Sequence, residues 1–371
     1  RATMMSGDLG HAAHAALTGG ASALAAVHLL PGRPVQPMLA SPAGSAAEAV
    51  ADIGLASVEW KLDGARVQAH RSGNEVALFT RNLNDITERL PGVVELVRSL
   101  PGGDVVVDGE VMGLVGESDL AGATSDDVDA AAAIPRRFQD TMGDFGADGA
   151  AGRGARLRAF FFDVMHVDGE SVHDEPLSVR RDLLHDLVPA SARLPSIVTA
   201  DPGEADAFME RAVGLGHEGV MVKGVDQAYE AGRRGKSWRK VKPVYTFDLV
   251  VLAVEWGHGR RAGTLSNLHL GARGRGTFVM VGKTFKGMTD EMLAWQTERF
   301  TALEIGRGDG RERHVVHVEP VQVVEVAVDG VQSSTRYPGG VALRFARVKR
   351  YRHDKAATDA DTIEALYALL R

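Results

Sequence analysis

One lysine of this sequence stands where a covalent nucleophile would be placed. Lys61 lies in the stretch EWKLDGAR, which predicts an apolar strand followed by a tight turn at Asp63 and Gly64. A lysine amine attacks only after it has lost its proton, and desolvation or a neighbouring cation such as Arg66 favours that loss. The same short pattern is also typical of a surface lysine beside a hairpin turn, so the stretch alone leaves both interpretations open.

Two glutamates form a candidate metal site. Glu110 in VVVDGE and Glu218 in HEGVMVK lie at the edges of apolar strands, where an unpaired buried charge would be costly. If they converge, they suit Mg²⁺, a hard cation that takes carboxylate oxygens together with substrate phosphates. Either glutamate alone is also typical of a solvated strand end.

Basic residues are concentrated in two places. The stretch Arg233–Lys242 has six cations in ten residues, and strand alternation places Trp238, Lys240 and Lys242 on one face. Two lysines on one face would form a phosphate cradle, although a solvated basic strand has the same pattern. The spaced arginines of Arg336–Lys355 suit a triphosphate or a nucleic-acid backbone.

The composition excludes several classes of protein. The chain has 371 residues, a formal net charge of −7 and no cysteine. The lack of cysteine rules out disulfides, thiolate catalysis and cysteine-ligated zinc, and no motif of a zinc hydrolase or a P-loop nucleoside triphosphatase occurs. No apolar run approaches the roughly 18 residues of a membrane span and no signal peptide is recognised, so we expect a soluble cytoplasmic protein.

The elements that must position these residues follow from the apolar patterning. Helices are predicted within residues 1–30, around 46–53, 87–100, 176–188 and 203–216, and in the closing stretch 359–370. Strands are predicted within 57–80, broken by turns at 63–64 and 72–74, and at 104–114, 157–167, 218–224 and 237–242. Between them, residues 116–134 and 142–155 are expected to be loops, with a short helix at Arg136–Thr141.

After Pro243 the pattern becomes all-β, with strands in 247–257, 276–285, 313–328 and 341–351. Alternating strands with glycine turns over about 100 residues predict a small barrel such as an OB-fold. We therefore place a domain boundary near Tyr245–Phe247.

The order of the motifs is more specific than any one of them. In sequence order they are KLDGAR (61–66), TRN (80–82), DGE (108–110), FFD (161–163), EGVMVK (218–223), WRKVK (238–242) and the basic stretch 336–355. This series resembles the nucleotidyltransferase motifs of ATP-dependent DNA ligases of the bacterial and archaeal type, which belong to the covalent lysine nucleotidyltransferases. The resemblance covers roughly residues 35–371.

The resemblance implies an α+β architecture. An adenylation (nucleotidyltransferase) domain of antiparallel sheets with flanking helices is expected at residues 35–245, followed by an OB-fold β-barrel domain at 246–371. Ligases of this type usually begin with a helical DNA-binding domain. Residues 1–34 are therefore expected to be a remnant of that domain and a linker, in a chain truncated relative to its gene product.

The resemblance also implies a three-step reaction. Lys61 attacks the α-phosphate of ATP and becomes a lysyl-AMP, the AMP passes to the 5′-phosphate of a nick, and the 3′-hydroxyl then seals the strand. The implied partner is nicked double-stranded DNA, with no membrane, and the enzyme is expected to be a monomer of the nucleoid. The implied cofactors are ATP, as a substrate, and Mg²⁺, with Mn²⁺ as an alternative.

Residue roles come from positions in the motifs. Lys61, Asp63, Lys240 and Lys242 would be catalytic, and Glu110 and Glu218 would bind the metal. A larger set would bind ATP. Glu59 and Phe162 would contact adenine, Glu110 the ribose, and Arg66 and Arg81 the nucleotide or the nick phosphate. Lys223 and Trp238 would line the site, and Arg347, Arg352 and Lys355 would orient pyrophosphate. The last group requires the OB domain to close, so a hinge is predicted near Pro243–Phe247.

Other functions remain open at this point. An RNA ligase or an mRNA capping enzyme shares the lysine and both domains, and RNA discrimination depends on 2′-hydroxyl contacts that the sequence does not locate. NAD⁺-dependent ligases are disfavoured, because they normally carry a four-cysteine zinc site. A non-catalytic OB-fold protein that binds single strands is the alternative from another class.

Overall fold

The computed structural model describes residues 1–114 and 157–370 of the chain. The chain divides into two units, Arg1–Lys242 and Pro243–Arg371. The loops expected at 116–134 and 142–155, and the short helix expected at Arg136–Thr141, lie outside the described residues.

The first unit contains six described helices and ten described strands. The helices are α1 (Ala2–Ser6), α2 (Leu9–Ala25), α3 (Ala46–Ile53), α4 (Pro91–Ser99), α5 (Leu177–Leu187) and α6 (Pro202–Gly214). The strands are β1 (Leu39–Pro42), β2 (Ala56–Lys61), β3 (Ala65–Ser72), β4 (Glu75–Thr80), β5 (Val105–Gly113), β6 (Leu157–Val167), β7 (Glu170–Ser171), β8 (Ser196–Thr199), β9 (Gly219–Gly224) and β10 (Arg234–Val241).

These strands form two five-stranded sheets. The first has the order β1-β10-β9-β2-β8 and the second the order β4-β3-β5-β6-β7. All pairs are antiparallel except β1 with β10, which is parallel. The short turn between β2 and β3 links the sheets, and side chains from both, such as Trp60 and Phe160, share one buried cluster. The predicted antiparallel sheets with flanking helices are thus confirmed, with one parallel edge pair.

The helix predicted across residues 87–100 is in fact two elements. A 3₁₀ turn spans Thr87–Arg89, and α4 begins only at Pro91. Leu90 between them is neither helical nor extended, with φ −128° and ψ 58°. Proline disfavours the helical conformation in the residue before it, and this interrupts the apolar periodicity of a single helix.

The first two helices pack on the rest of the first unit. Ala2 and Met5 of α1 and Ala12 of α2 belong to a buried cluster that also holds Met38 and Trp238. Helix α2 is interrupted at Gly20, whose φ is 60°. No helix in the described part of the chain is long and apolar enough to cross a membrane.

The second unit is built around one long strand. Its strands are β11 (Tyr245–Trp256), β12 (Leu265–Arg273), β13 (Phe278–Thr284), β14 (Glu304–Arg307), β15 (Val315–Val318), β16 (Val323–Val328), β17 (Gly330–Ser333), β18 (Val341–Arg344) and β19 (Arg347–Arg352). Strand β11 pairs with β12, β15 and β16, and β16 continues to β19. Most buried side chains of these strands form one large apolar core, with a smaller cluster around Val250 and Val323, and the expected OB-fold barrel is confirmed.

Two details of this unit differ from the prediction. A helix, α7 (Asp290–Ala302), packs Phe300 into the barrel core although the sequence pattern predicted only strands before the closing helix α8 (Ile363–Tyr367). The strand predicted at 341–351 is split into β18 and β19, because Phe345 adopts a left-handed φ of 54°. A non-glycine residue with positive φ breaks the extended backbone.

Candidate active site

Lys61 lies at the end of β2, opposite Gly219 of β9. The backbone N–H of Glu218 donates to the Lys61 carbonyl at 3.0 Å. Gly219 has a φ of 140°, and a Cβ there would collide with the carbonyl oxygen of Val241. Only glycine permits this close approach, which brings the Glu218 carboxylate beside the end of β10.

Glu218 is shared by two lysines. Lys61 Nζ contacts Glu218 Oε2, and Lys242 Nζ donates to Glu218 Oε1 at 2.6 Å. Burial alone would raise the pKa of Glu218, but the two ammonium groups outweigh it and lower that pKa to about 2. The carboxylate is therefore ionised, and it joins the predicted nucleophile to a predicted catalytic lysine.

Glu110 faces the same site from the second sheet. It stands on β5 directly opposite Arg66 of β3, and Gly64 allows the β2–β3 turn to pack against its side chain. Burial raises the pKa of Glu110 to about 7, although Lys61 and Arg66 act in the other direction. Among the described residues, no side chain donates a hydrogen bond to the Glu110 carboxylate.

The pair Glu110 and Glu218 fits a divalent cation in part. Glu110 is a poorly solvated carboxylate whose charge a cation would stabilise, and Glu218 raises its pKa further by repulsion. Within residues 1–114 and 157–370, no group of three or more histidine, aspartate and glutamate side chains is arranged to hold a metal. The donor set suits an ion such as Mg²⁺, which keeps waters and takes further oxygens from substrate phosphates.

Strand β10 presents the basic residues on two faces. Lys240 lies half-buried, and burial together with the charges of Lys242, Arg234 and Lys61 lowers the pKa of Lys240. On the opposite face, Arg239 pairs with Asp52 at 3.0 Å. The lysines are thus separated from the arginine, as the alternation of a strand predicts.

Glu59 and Lys223 form a buried ion pair beside two aromatic rings. Lys223 Nζ lies 2.6 Å from Glu59 Oε2, and both side chains are almost fully buried. The same ammonium is 4.3 Å from the ring centre of Phe162 and 4.2 Å from that of Trp238. Burial raises the pKa of Glu59, which Lys223 partly offsets. Four predicted site residues therefore converge in one aromatic-lined cluster.

Two predicted residues of the first unit lie at turns. Asp63 is half-buried in the β2–β3 turn, and Arg81 is exposed after β4. Among the described residues, the Arg81 side chain forms no hydrogen bond or ion pair with another predicted site residue.

The predicted pyrophosphate residues belong to the second unit, where carboxylates pair with each of them. Arg347 contacts Asp329 at 2.9 Å. Arg352 Nε and Nη2 donate to the two carboxylate oxygens of Asp354 at 2.9 and 2.7 Å, and Nη1 donates to Asp248 Oδ2 at 2.9 Å. Lys355 contacts the same oxygen of Asp248 at 2.6 Å.

Family comparisons decide what these residues belong to. A family model described as the ATP dependent DNA ligase domain matches residues 37–242, and one described as the ATP dependent DNA ligase C terminal region matches residues 261–355. The chain belongs to the ATP-dependent DNA ligases.

Relatives cover the whole of this ligase. A probable DNA ligase of Pseudarthrobacter chlorophenolicus is 56% identical over 378 residues, covering 100% of this chain and 70% of that protein. A probable DNA ligase of Anaeromyxobacter sp. is 54% identical over 374 residues, covering 100% of this chain and 69% of that protein. A structure described as DNA binding with a minimal scaffold, from work on Lig E DNA ligases, has a TM-score of 0.51 and 19% identity, covering 86% of this chain and 100% of that chain. At that identity it shows the fold alone.

Sequence reasoning missed two polar residues of this ligase that surround Arg66. Asp108 accepts a fork from Arg66, and the Tyr229 hydroxyl touches both of them. Asp108 belongs to the DGE motif, which could have identified it. No motif near Tyr229 indicates that its hydroxyl takes part in the site.

Proposed function

We propose that this ligase seals nicks in double-stranded DNA through a lysyl-AMP on Lys61 and an adenylylated 5′-phosphate. The observation that carries the proposal is the convergence of Lys61, Lys242 and Glu218 at one point, with Glu110 facing them from the other sheet. A lysine nucleophile, a phosphate-binding lysine and two metal-type carboxylates are the groups that transfer of AMP from ATP requires.

In the first step, Lys61 Nζ forms a bond to the α-phosphorus, and the bond from that phosphorus to the bridging oxygen breaks. Pyrophosphate leaves with the electron pair, and the amine proton is lost to solvent. Because the pKa of Glu218 is lowered to about 2, Glu218 orients the amine as a counterion and is too weak a base to take its proton. Lys240 and Lys242 stabilise the charge that develops on the α-phosphate.

Glu110 and Glu218 would hold Mg²⁺ or Mn²⁺, which neutralises phosphate charge and orients the leaving group when it is bound. In this proposal Glu110 also accepts a hydrogen bond from the ribose. Glu59 and Phe162 form the adenine pocket with Lys223 and Trp238, supported by the aromatic cluster around the Lys223 ammonium. Asp63, Arg66 and Arg81 complete the nucleotide and nick contacts.

We assign residues 35–245 to the adenylation domain and 246–371 to the OB-fold domain, with 1–34 as a helical segment and linker that precede them. The division of the chain at Lys242 and Pro243 supports a hinge near Pro243–Phe247. In this proposal Arg347, Arg352 and Lys355 exchange their carboxylate partners for pyrophosphate. The enzyme acts as a monomer in the cytoplasm, at the nucleoid.

Nick sealing tests the proposal. A duplex with one nick, a 5′-phosphate and a fluorescent 3′-hydroxyl strand is incubated with the enzyme, Mg²⁺ and either ATP, GTP or NAD⁺. We expect a longer labelled strand with ATP only, and none with Lys61→Ala. Preferential sealing of a nicked RNA strand would favour an RNA ligase instead. Covalent attachment of the nucleotide to the enzyme from GTP alone, tested separately with labelled GTP, would favour a capping enzyme.

A further inference from the structure

Three side chains on one face of β3 form hydrogen bonds to the segment that leads into β1. The Gln68 amide pairs with the backbone of Val35, accepting from its N–H at 2.8 Å. The His70 Nδ1 accepts from the N–H of Gly32 at 3.1 Å. Arg66 Nη1 donates to the carbonyl oxygen of Met38 at 2.6 Å. Residues 32–38 are thus attached to the second sheet immediately before the chain enters the first.

Most N–H groups of the Arg66 guanidinium donate hydrogen bonds to the protein. Its Nε and Nη2 reach the two oxygens of Asp108 at 3.0 and 2.5 Å, and Nη2 also donates to the Tyr229 hydroxyl at 3.1 Å. A guanidinium has five N–H groups. The bonds to Asp108, Tyr229 and Met38 use four of them, which leaves one N–H, on Nη1, without a partner among the described residues.

The Tyr229 hydroxyl is saturated by this arrangement. It donates to Asp108 Oδ2 at 2.8 Å and accepts from the N–H of Met38 at 3.0 Å and from Arg66. Its ring packs edge-on against Trp238, with ring centres 5.6 Å apart. Burial raises the pKa of Tyr229 well above its ordinary value, so the hydroxyl keeps the proton that it donates.

The remaining N–H of Arg66 belongs to a guanidinium that borders the nucleotide residues of the proposed function. The guanidinium carbon is 5.6 Å from the ring centre of Phe162 and 5.9 Å from that of Trp238. Arg66 also stands directly opposite Glu110 in the β3–β5 pairing. A planar group fixed on its other edges can direct one hydrogen bond at low entropic cost.

We propose that Tyr229 is a positioning residue whose hydroxyl, with Asp108, fixes Arg66 so that its single remaining N–H is directed to the bound nucleotide. The same hydroxyl joins the two sheets, because Met38 leads into β1, the partner of the lysine strand β10. This inference rests on the proposed function. It assigns to Tyr229 a part in nucleotide affinity and none in bond making.

The test is the rate of lysyl-AMP formation against ATP concentration for Tyr229→Phe. Phenylalanine keeps the ring beside Trp238 and removes only the hydroxyl. We expect the KM for ATP to rise about tenfold, the factor that about 1.4 kcal/mol represents, while the maximal rate changes less than about threefold. A role in folding alone would lower the amount of active enzyme, and hence the maximal rate, without moving KM.

A double-mutant cycle identifies the group through which Tyr229 acts. In an Arg66→Lys background, adding Tyr229→Phe should change KM by less than about twofold, because lysine cannot form the fork that Tyr229 supports. Tyr367→Phe, which removes a hydroxyl that donates to Gly339 in the second unit, is the matched control and should leave KM unchanged. If Tyr229→Phe does not fold, Asp108→Asn loosens the same fork and should raise KM similarly.

The outcomes separate the two proposals. A wild-type chain that forms no lysyl-AMP with ATP contradicts the proposed function and this inference with it. Normal lysyl-AMP formation with an unchanged KM in Tyr229→Phe contradicts the inference alone. If Tyr229→Phe raises KM equally in the wild-type and the Arg66→Lys backgrounds, the inference is also overturned, because Tyr229 would then act independently of Arg66.

Discussion

Lys61 and Glu218 are joined twice, once through the backbone and once through their side chains. The Glu218 N–H donates to the Lys61 carbonyl at 3.0 Å, and the Glu218 carboxylate contacts the Lys61 ammonium. The β2–β9 pairing therefore fixes the proposed nucleophile and its counterion together. Because Lys242 shares that carboxylate, one side chain sets the position of two cations.

Replacement of Glu218 should disable the first step. In Glu218→Gln the two lysines lose their common counterion and the proposed metal loses a ligand, so lysyl-AMP formation should fall by at least about 100-fold. Labelled ATP and a denaturing gel measure the effect. Glu95→Gln, at an exposed position, is the control and should retain the wild-type rate. A Glu218→Gln enzyme with wild-type activity would remove Glu218 from the site.

Glu110 should make stability fall as the pH rises. Its pKa is raised from 4.5 to about 7, so between these values the folded protein holds a proton that the unfolded chain has released. The stabilisation is complete below about pH 4.5 and is lost as the pH rises through 7, by about 1–3 kcal/mol. Urea unfolding at pH 5 and 8 should therefore show a smaller decline for Glu110→Gln than for the wild type. Equal declines in both proteins would contradict the raised pKa.

The pH dependence of Mg²⁺ affinity provides a second test of Glu110. A cation bound to ionised Glu110 competes with the proton, so affinity for Mg²⁺ should increase as the pH rises through 7 in the wild type. In Glu110→Gln, this pH dependence should be weaker, because only the terminal phosphate of the nucleotide still titrates in this range. Calorimetric titration with Mg²⁺ and an unreactive ATP analogue distinguishes the two cases.

The buried pair Glu59 and Lys223 should be sensitive to loss of one partner. Lys223→Met leaves the Glu59 carboxylate unpaired in an apolar cluster, which should lower the free energy of unfolding by about 3–5 kcal/mol. The double substitution Glu59→Gln with Lys223→Met should recover at least half of that loss. Urea unfolding measures both. If the double variant is no more stable than the single one, the loss arises from packing around Phe162 and Trp238 instead.

Removal of Arg352, in the basic stretch of the second unit, should slow lysyl-AMP formation and leave nick sealing intact. In Arg352→Ala, lysyl-AMP formation should slow by about 100-fold, because the departing pyrophosphate loses a cation. Sealing of a nick that already carries AMP on its 5′-phosphate should continue, because pyrophosphate does not take part. Arg350→Ala removes a more exposed neighbouring arginine that pairs with Glu325, and it should leave both steps intact. A parallel loss of both steps in Arg352→Ala would refute the assigned role.

The order of the motifs predicted residues that the structure brings together around Lys61 and around Lys223. The spacing of strand residues placed Lys240 and Lys242 on one face, and the structure adds that Lys242 shares Glu218 with Lys61. Tyr229 could not be predicted, because its importance lies in contacts with Asp108 and Met38, which are 121 and 191 residues away in the chain. Contacts between such distant parts of the chain depend on the tertiary fold, and the residues next to Tyr229 carry no signal of them.

The errors in the predicted elements have local causes. The helix expected over 87–100 is interrupted because Pro91 follows Leu90, a signal that was present in the sequence. Helix α7 also carried a start signal, since Thr289 caps it through the N–H of Met292 and two acidic residues follow. The surrounding strand pattern of the barrel concealed it.

Mapping the covalent label from ATP tests the central claim most directly. The chain is incubated with Mg²⁺ and ATP labelled on the α-phosphate, denatured, digested and sequenced by mass spectrometry. We predict one adenylylated peptide, with AMP on Lys61, and no label in Lys61→Ala. An unlabelled wild-type chain that also carries no AMP as isolated, or a label that persists in Lys61→Ala, would contradict it.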